Sequence, residues 1–162
     1  MDISIVELNS VPAHENSNEL NEPAHASVAY AALPDGRAFI VTGGADGKVS
    51  LRDARAPDSI LATHSEPNPI EAIAVDIESS VIAIATDTKT KLLDLATLTV
   101  KGVVGSEALP PRALAFSPKG FKLASGGDFS GITVTTVSPS SLLPPPLTTS
   151  IDPPLTGRVI RS

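Results

Sequence analysis

The residues that come nearest to phosphate-binding chemistry are Gly47 and Lys48, at the end of a glycine-rich stretch. A phosphate-binding loop needs a glycine five positions before its Gly-Lys pair and a Ser or Thr directly after the lysine. Its backbone N–H groups cradle the phosphates, and the hydroxyl binds Mg²⁺. Thr42 and Val49 occupy those two positions here. The pattern therefore favours a hairpin turn over a nucleotide site.

The other residues that could do chemistry are dispersed along the chain. The histidines His14, His25 and His64 have no second ligand at helical or hairpin spacing, which is typical of structural or solvated histidines. Cysteine is absent, so disulfides, thiolate metal sites and cysteine nucleophiles are excluded. We predict that the protein is not an enzyme and has no catalytic residue, metal site or cofactor.

Four aspartates occupy predicted turns or strand ends, where Asp side chains accept hydrogen bonds from backbone N–H groups. These four are Asp46, Asp53, Asp94 and Asp128. Their spacing does not indicate a paired-carboxylate site. We interpret them as structural turn residues.

Composition and charge limit the binding partners. Twelve Lys and Arg stand against eighteen Asp and Glu, a formal charge of -6, which opposes binding to nucleic acid by counterion release. No stretch approaches the roughly 20 apolar residues that span a bilayer. The first residues lack the features of a signal peptide. We expect a soluble intracellular protein that binds neither nucleic acid nor membranes directly.

Both ends of the chain differ from its middle. Residues 1–24 are largely polar and acidic and predict a flexible leader, with a possible short strand at residues 3–8. Six of the seventeen residues from 138 to 154 are proline, which cannot donate to a sheet ladder. Residues 138–162 are therefore predicted to be an extended or disordered proline-rich tail.

Residues 25–137 contain short apolar runs separated by turn residues, and no segment has a convincing helical period. Runs of four to seven residues rich in Val, Ile and Thr, bounded by Pro, Asp and Gly, indicate strands and hairpins. The hydrophobic content is 41% but only 3% is aromatic, so the core must consist of aliphatic residues. The sequence predicts an all-β protein.

The strand pattern recurs about every 42 residues. Pro34 and Pro118, in similar turns, lie 84 positions apart, and Asp53 and Asp94 lie 41 apart. A period near 42 with four short strands matches one blade of a β-propeller. We predict three repeats, at about 25–65, 66–107 and 108–137. Similar hairpins in a β-sandwich remain the alternative.

The repeats resemble the WD-repeat family. Residues 33–36 and 116–120 look like its first hairpin turn, and residues 41–53 look like its second hairpin. The family's Trp is replaced in the three copies by Arg52, Leu93 and Thr135, and its Gly-His pair is absent, although His25 lies near the expected place. The resemblance implies that two pairs keep half of the family's buried hydrogen-bonded set: Thr42 with Asp46, and Ser125 with Asp128.

A closer resemblance is to the N-terminal propeller of the WD-repeat and HMG-box DNA-binding proteins, a family of replisome adaptors. Residues 39–49, 83–89 and 122–129 carry it, in that order. The resemblance implies a nuclear scaffold that links the replicative helicase to polymerase-α and supports sister-chromatid cohesion. A scaffold subunit of another complex, nuclear or cytoplasmic, and a propeller hydrolase are the alternatives.

Single-chain propellers usually have about four to eight blades, so the three predicted here are fewer than usual. Because each blade buries its faces against its neighbours, three blades leave two apolar faces without a partner. We therefore predict an open arc of three blades that is prone to associate.

Overall fold

A computed structural model of the protein describes residues 26–87, 89–104, 111–120, 122–127 and 132–137. These residues form eleven strands and no helix, as the sequence predicted. In chain order the strands are β1 (Ala26–Ala32), β2 (Ala38–Gly44), β3 (Lys48–Asp53), β4 (Ala56–Ser65), β5 (Ala72–Asp76), β6 (Val81–Ala85), β7 (Thr90–Asp94), β8 (Val100–Val104), β9 (Ala113–Phe116), β10 (Lys122–Gly126) and β11 (Thr133–Thr136).

The strands form three antiparallel meanders. The first sheet has the order β1-β2-β3-β4, the second β5-β6-β7-β8, and the third β9-β10-β11. The expected fourth strand of the third repeat has no counterpart among the described residues. The first strands of the sheets are neighbours in space, β1 beside β5 and β5 beside β9. The sheets therefore stack face to face, with their first strands innermost, as a partial propeller.

Two turns have the glycine that the sequence predicted. Gly36 ends the β1–β2 turn and Gly120 the β9–β10 turn, with φ angles of 84° and 66°. In each turn the glycine N–H donates to the carbonyl of the residue three positions earlier, Leu33 at 3.0 Å and Ser117 at 2.9 Å. Residues with side chains rarely adopt such φ angles, so glycine fixes these turns.

Two strands, β4 and β8, are the predicted fourth strands of the first two repeats, but the sequence did not place them on particular residues. Both are the last strand of their sheet, and most of the β4 side chains are exposed. Pro57 also lies within β4, and proline in a strand is tolerated at a sheet edge. An exposed edge strand lacks the apolar pattern by which sequence analysis recognises a strand.

The core lies between the sheets in two clusters. Ten buried side chains fill the interface of the first and second sheets: Val41, Val49, Leu51, Ile70, Ile73, Ile82, Ile84, Leu93, Leu95 and Leu98. Five fill the interface of the second and third: Val81, Ala83, Leu92, Leu123 and Val137. The second sheet is covered on both faces, and all five side chains of β6 are buried. The core is aliphatic, as the composition indicates.

The predicted leader (1–24), the possible strand at residues 3–8 and the proline-rich tail (138–162) lie outside the described residues.

Candidate functional site

The described part of the chain brings no group of metal-binding side chains together. Within it, no three His, Asp or Glu side chains converge on a position that could hold a metal ion. Among the same residues, no helix is long and apolar enough to cross a membrane. The candidate functional features are therefore the polar contacts between sheets and the exposed apolar surfaces.

Three of the predicted turn aspartates accept hydrogen bonds from nearby backbone N–H groups. Asp46 Oδ1 accepts from the Lys48 N–H at 3.0 Å, and Asp53 Oδ1 accepts from the Arg55 N–H at 2.8 Å. Asp94 Oδ1 accepts from the N–H groups of Ala96 and Thr97 at 2.9 and 3.0 Å. The three side chains lie in separate turns, so they close hairpins and do not form one site.

The remaining predicted repeat positions are dispersed. Thr42 is buried on β2, and Ser125 is half-buried on β10. His25 and Asp128 lie outside the described residues. Arg52, at the position of the family's Trp, is buried, and its Nη1 donates to the carbonyl of Pro57 at 2.8 Å. This hydrogen bond thus joins β3 to the start of β4.

Asp94 also forms an ion pair with Lys101 on β8. Lys101 Nζ lies 2.7 Å from Asp94 Oδ2. The hydrogen bond from Lys101 lowers the pKa of Asp94 most; burial opposes it, and the N–H groups of Thr97 and Ala96 lower the pKa further, to about 2. Asp94 therefore carries a negative charge throughout the physiological pH range and holds the β7–β8 hairpin together.

A second cluster of charges joins the first two sheets, and no motif in the sequence indicated it. Glu66, directly after β4, is buried, with its side chain only 4% exposed. Lys91 on β7 donates to both of its carboxylate oxygens, at 2.8 and 2.6 Å. His64 Nε2 lies 2.6 Å from Oε1, and because a carboxylate only accepts, the ring N–H is the donor. His64 is therefore part of an inter-sheet cluster.

The contacts of Glu66 keep it ionised. Burial raises the pKa of Glu66, but the hydrogen bonds from Lys91 and His64 outweigh that effect and hold the pKa below its usual value. A buried carboxylate is tolerated when it is paired in this way. The cluster is suited to fixing the angle between two sheets, because donors from both sheets bind the carboxylate oxygens of one side chain.

Other polar contacts connect neighbouring sheets on the same side. Asn68 donates to Asp87, between β6 and β7. Glu71 accepts from Arg112 Nη1 at 2.9 Å, which joins the residue before β5 to the residue before β9. The side-chain hydroxyl of Ser27 on β1 accepts from the Ile73 N–H on β5 at 3.0 Å. Each of these contacts joins two sheets, or a sheet and a linker. We therefore assign a structural role to these three contacts.

The outer edge of the first sheet carries exposed apolar side chains. Ile60 and Leu61 are adjacent on β4, and each is 51% exposed. β4 is the last strand of the first sheet and pairs with β3 through two register shifts. A long edge strand with exposed apolar residues can pair with another chain. β4 is thus a candidate protein-binding edge, and the sequence did not indicate it because the fourth strand of the repeat was not placed on these residues.

Comparison with known proteins supports the fold. No protein-family model matches the chain, and no curated protein matches it. Among solved structures, the computationally designed Ika4 protein has a TM-score of 0.54 at 19% identity, over 62% of this chain and 61% of that one. A chain of the Mitotic Checkpoint Complex has a TM-score of 0.59 at 17% identity, over 68% of this chain.

This protein spans 35% of the length of the checkpoint-complex chain. The likeness to a chain of that complex supports a β-propeller fold. At such identities the likeness shows the fold alone. The described residues are all-β and form a partial β-propeller.

Proposed function

We propose that this chain is a non-enzymatic interaction scaffold that binds other proteins. The observation that carries the proposal is the exposed apolar edge at Ile60 and Leu61, on a strand ten residues long. Its fold is similar to that of a protein found in a multi-protein complex. Both observations are typical of a protein that presents surfaces to partners.

Addition of a partner strand is the mode of binding that this edge favours. As the last strand of its sheet, β4 can offer backbone N–H and C=O groups to an extended segment. Main-chain hydrogen bonds then supply affinity, and the side chains of alternate residues supply specificity. Ile60 and Leu61 would contact apolar side chains of such a segment.

The proposed setting is DNA replication in the nucleus. It rests on the resemblance to the replisome adaptors, and it makes components of the replicative helicase and polymerase-α the proposed partners. Any association with chromatin would then depend on these proteins, because the chain carries a net charge of -6. A scaffold subunit of a different complex is the alternative, supported by the same edge strand.

Site-specific photo-crosslinking tests the proposal. A photoreactive phenylalanine analogue at Leu61 of the full chain, incubated in nuclear extract, should crosslink to helicase or polymerase-α components. The same analogue at Lys119, an exposed residue in the β9–β10 turn, is the matched control. Crosslinks from Leu61 to other proteins would support a scaffold and contradict the replication setting. Equal crosslinking from both positions would contradict binding at β4.

Catalysis by a propeller hydrolase is the competing function. A propeller hydrolase would need a metal site, so the purified chain should contain less than about one tenth of an equivalent of any transition metal by elemental analysis. A stoichiometric metal that survives dialysis would contradict the non-enzymatic proposal.

A further inference from the structure

The last strands of the first two sheets contain a β-bulge at the same place. On β4, Ile60 and Ala62 are the register partners of Arg52 and Leu51, which are adjacent on β3. Leu61 is therefore an extra residue without a register partner on β3. A bulge of this kind interrupts the regular pairing and redirects the side chains beside it.

The strand β8 repeats this bulge. Val100 and Gly102 are the register partners of Leu93 and Leu92, which are adjacent on β7. Lys101 is the extra residue here. In the second sheet it thus occupies the position that the bulge residue of β4 occupies in the first.

The turns that lead into the two bulges also begin alike. Asp53 is the last residue of β3, and Asp94 is the last residue of β7. Each aspartate accepts a hydrogen bond from the N–H two positions later, from Arg55 at 2.8 Å and from Ala96 at 2.9 Å. The two hairpins therefore have a carboxylate and a bulge residue at equivalent positions.

The hairpins differ in the partner of that carboxylate. In the second sheet, Lys101 Nζ lies 2.7 Å from Asp94 Oδ2. In the first sheet the equivalent bulge residue is Leu61, which carries no charge. Arg55, in the adjacent turn, donates from Nη2 to a carbonyl of the β1–β2 turn at 2.7 Å. Among the described residues, Asp53 forms no ion pair.

The bulge of β4 also exposes two large apolar side chains in succession. Adjacent side chains of a regular strand point to opposite faces of the sheet. At a bulge this alternation is interrupted, because two residues oppose one residue of the neighbouring strand. Ile60 and Leu61 are both exposed. The first sheet thus has an apolar pair where the second has an ion pair.

Acidic side chains flank this apolar pair. Asp58 is exposed on β4, three positions before Leu61. The cations nearest in the chain donate to backbone carbonyls, Arg52 within its own hairpin and Arg55 in the β1–β2 turn. With Asp53 unpaired and a net charge of -6, this edge is complementary to a positively charged segment.

We propose that the β4 edge binds an extended partner segment in which a Lys or Arg stands next to apolar side chains. The cation would pair with Asp53 as Lys101 pairs with Asp94, and the apolar side chains would contact Ile60 and Leu61. A lysine or arginine side chain spans the roughly 4.8 Å between neighbouring strands, so it can reach past β4. This inference rests on the proposed addition of a partner strand at β4 and adds the chemistry of that strand.

Two synthetic peptides test the preference for a cation. The first is acetyl-Ser-Thr-Val-Lys-Val-Lys-Val-Thr-Ser-amide, and the second has glutamate in place of both lysines. Fluorescence anisotropy of the labelled peptides, titrated with the full chain at low salt, measures both affinities. The lysine peptide should bind at least about tenfold more tightly, and added salt should reduce the difference.

Three variants locate the contact. Asp53→Asn keeps the acceptor for the Arg55 N–H and removes the charge, so it should abolish the preference for the lysine peptide. Leu61→Lys introduces the bulge residue of the second sheet, which would pair with Asp53 internally, and should weaken binding of the lysine peptide at least about tenfold. Val103→Lys, on the exposed β8, adds the same charge elsewhere and should change that affinity less than about twofold.

Circular dichroism should show that all three variants stay folded, because Leu61 and Val103 are exposed and the asparagine retains the turn hydrogen bond. Equal affinities of the two peptides for the wild-type chain would overturn the proposal. A preference that Asp53→Asn leaves unchanged, or equal weakening by Leu61→Lys and Val103→Lys, would also overturn it. Failure of both peptides to bind at about 1 mM chain would do the same.

The crosslinking experiment at Leu61 separates this proposal from the scaffold function. A partner crosslinked there through a segment without Lys or Arg would leave the scaffold function standing and overturn the proposed chemistry. A crosslinked segment with a Lys or Arg beside apolar residues would support both.

Discussion

Lys91 donates hydrogen bonds to both carboxylate oxygens of Glu66, so one lysine of the second sheet neutralises a carboxylate buried beside the first. The two residues lie 25 positions apart in the chain. Their pairing explains how an acidic side chain is accommodated in the interface between two sheets.

Removing this lysine should destabilise the protein more than removing an exposed one. Lys91→Met leaves Glu66 buried without its main partner, and we expect a loss of about 3 kcal/mol in the free energy of unfolding. Urea denaturation of Lys91→Met and of the exposed control Lys122→Met measures the difference. The double variant Lys91→Met/Glu66→Gln should recover about half of the loss, because it removes the buried charge. Equal stabilities of the two lysine variants would contradict the role of the cluster.

Asp94 should give the protein an acid-sensitive contribution to stability. Its folded pKa of about 2 lies below the ordinary value of 3.8, so the contribution is fully present above about pH 4. It is lost as the pH falls through the folded pKa, since the protonated carboxyl no longer pairs with Lys101.

NMR titration of the Asp94 carboxyl carbon measures this pKa directly. In Lys101→Ala the pKa of Asp94 should rise, and the protein should lose about 1 kcal/mol of stability at neutral pH, where the pair is intact. An Asp94 pKa that does not change in Lys101→Ala would show that the turn N–H groups alone lower it.

Gly47 should not tolerate a side chain. Its φ angle is 73°, and an added Cβ would overlap the carbonyl oxygen of Glu66. We expect Gly47→Ala to cost about 3 kcal/mol, from backbone strain and from displacement of the linker that carries Glu66. Gly126→Ala is the matched control, because no atom lies within 4 Å of the added Cβ there. Thermal denaturation of both variants checks the prediction, and similar melting temperatures would refute it.

Duplex DNA should bind weakly to the isolated chain. With a net charge of -6 the protein releases few counterions from phosphates. Gel-shift titration at physiological salt should therefore show no complex below about 10 μM protein. Sub-micromolar binding that weakens steeply with salt would contradict a role confined to protein partners.

The sequence predicted the parts of the fold that local chemistry determines. Gly36 and Gly120 end turns that need a positive φ, and β6 is a run of apolar residues because both of its faces are buried. A fourth strand was expected in the first repeat, but β4 was not placed on its residues because an exposed edge strand has no apolar pattern. The cluster at Glu66 was not predicted because His64 and Lys91 meet the carboxylate only after two sheets stack. Pairings across sheets depend on packing and not on spacing in the chain.

The two core clusters differ in size, and this difference determines which sheet should unfold locally first. Among the described residues, ten buried side chains hold the first sheet to the second, and five hold the second to the third. The third sheet should therefore exchange its amide hydrogens through local detachment, while those of β6 exchange only when the whole structure opens. A partner that covers the third sheet would slow its exchange most. Binding of a partner to the third sheet, rather than the sequence of that sheet, would then determine how long the protein resists proteolysis.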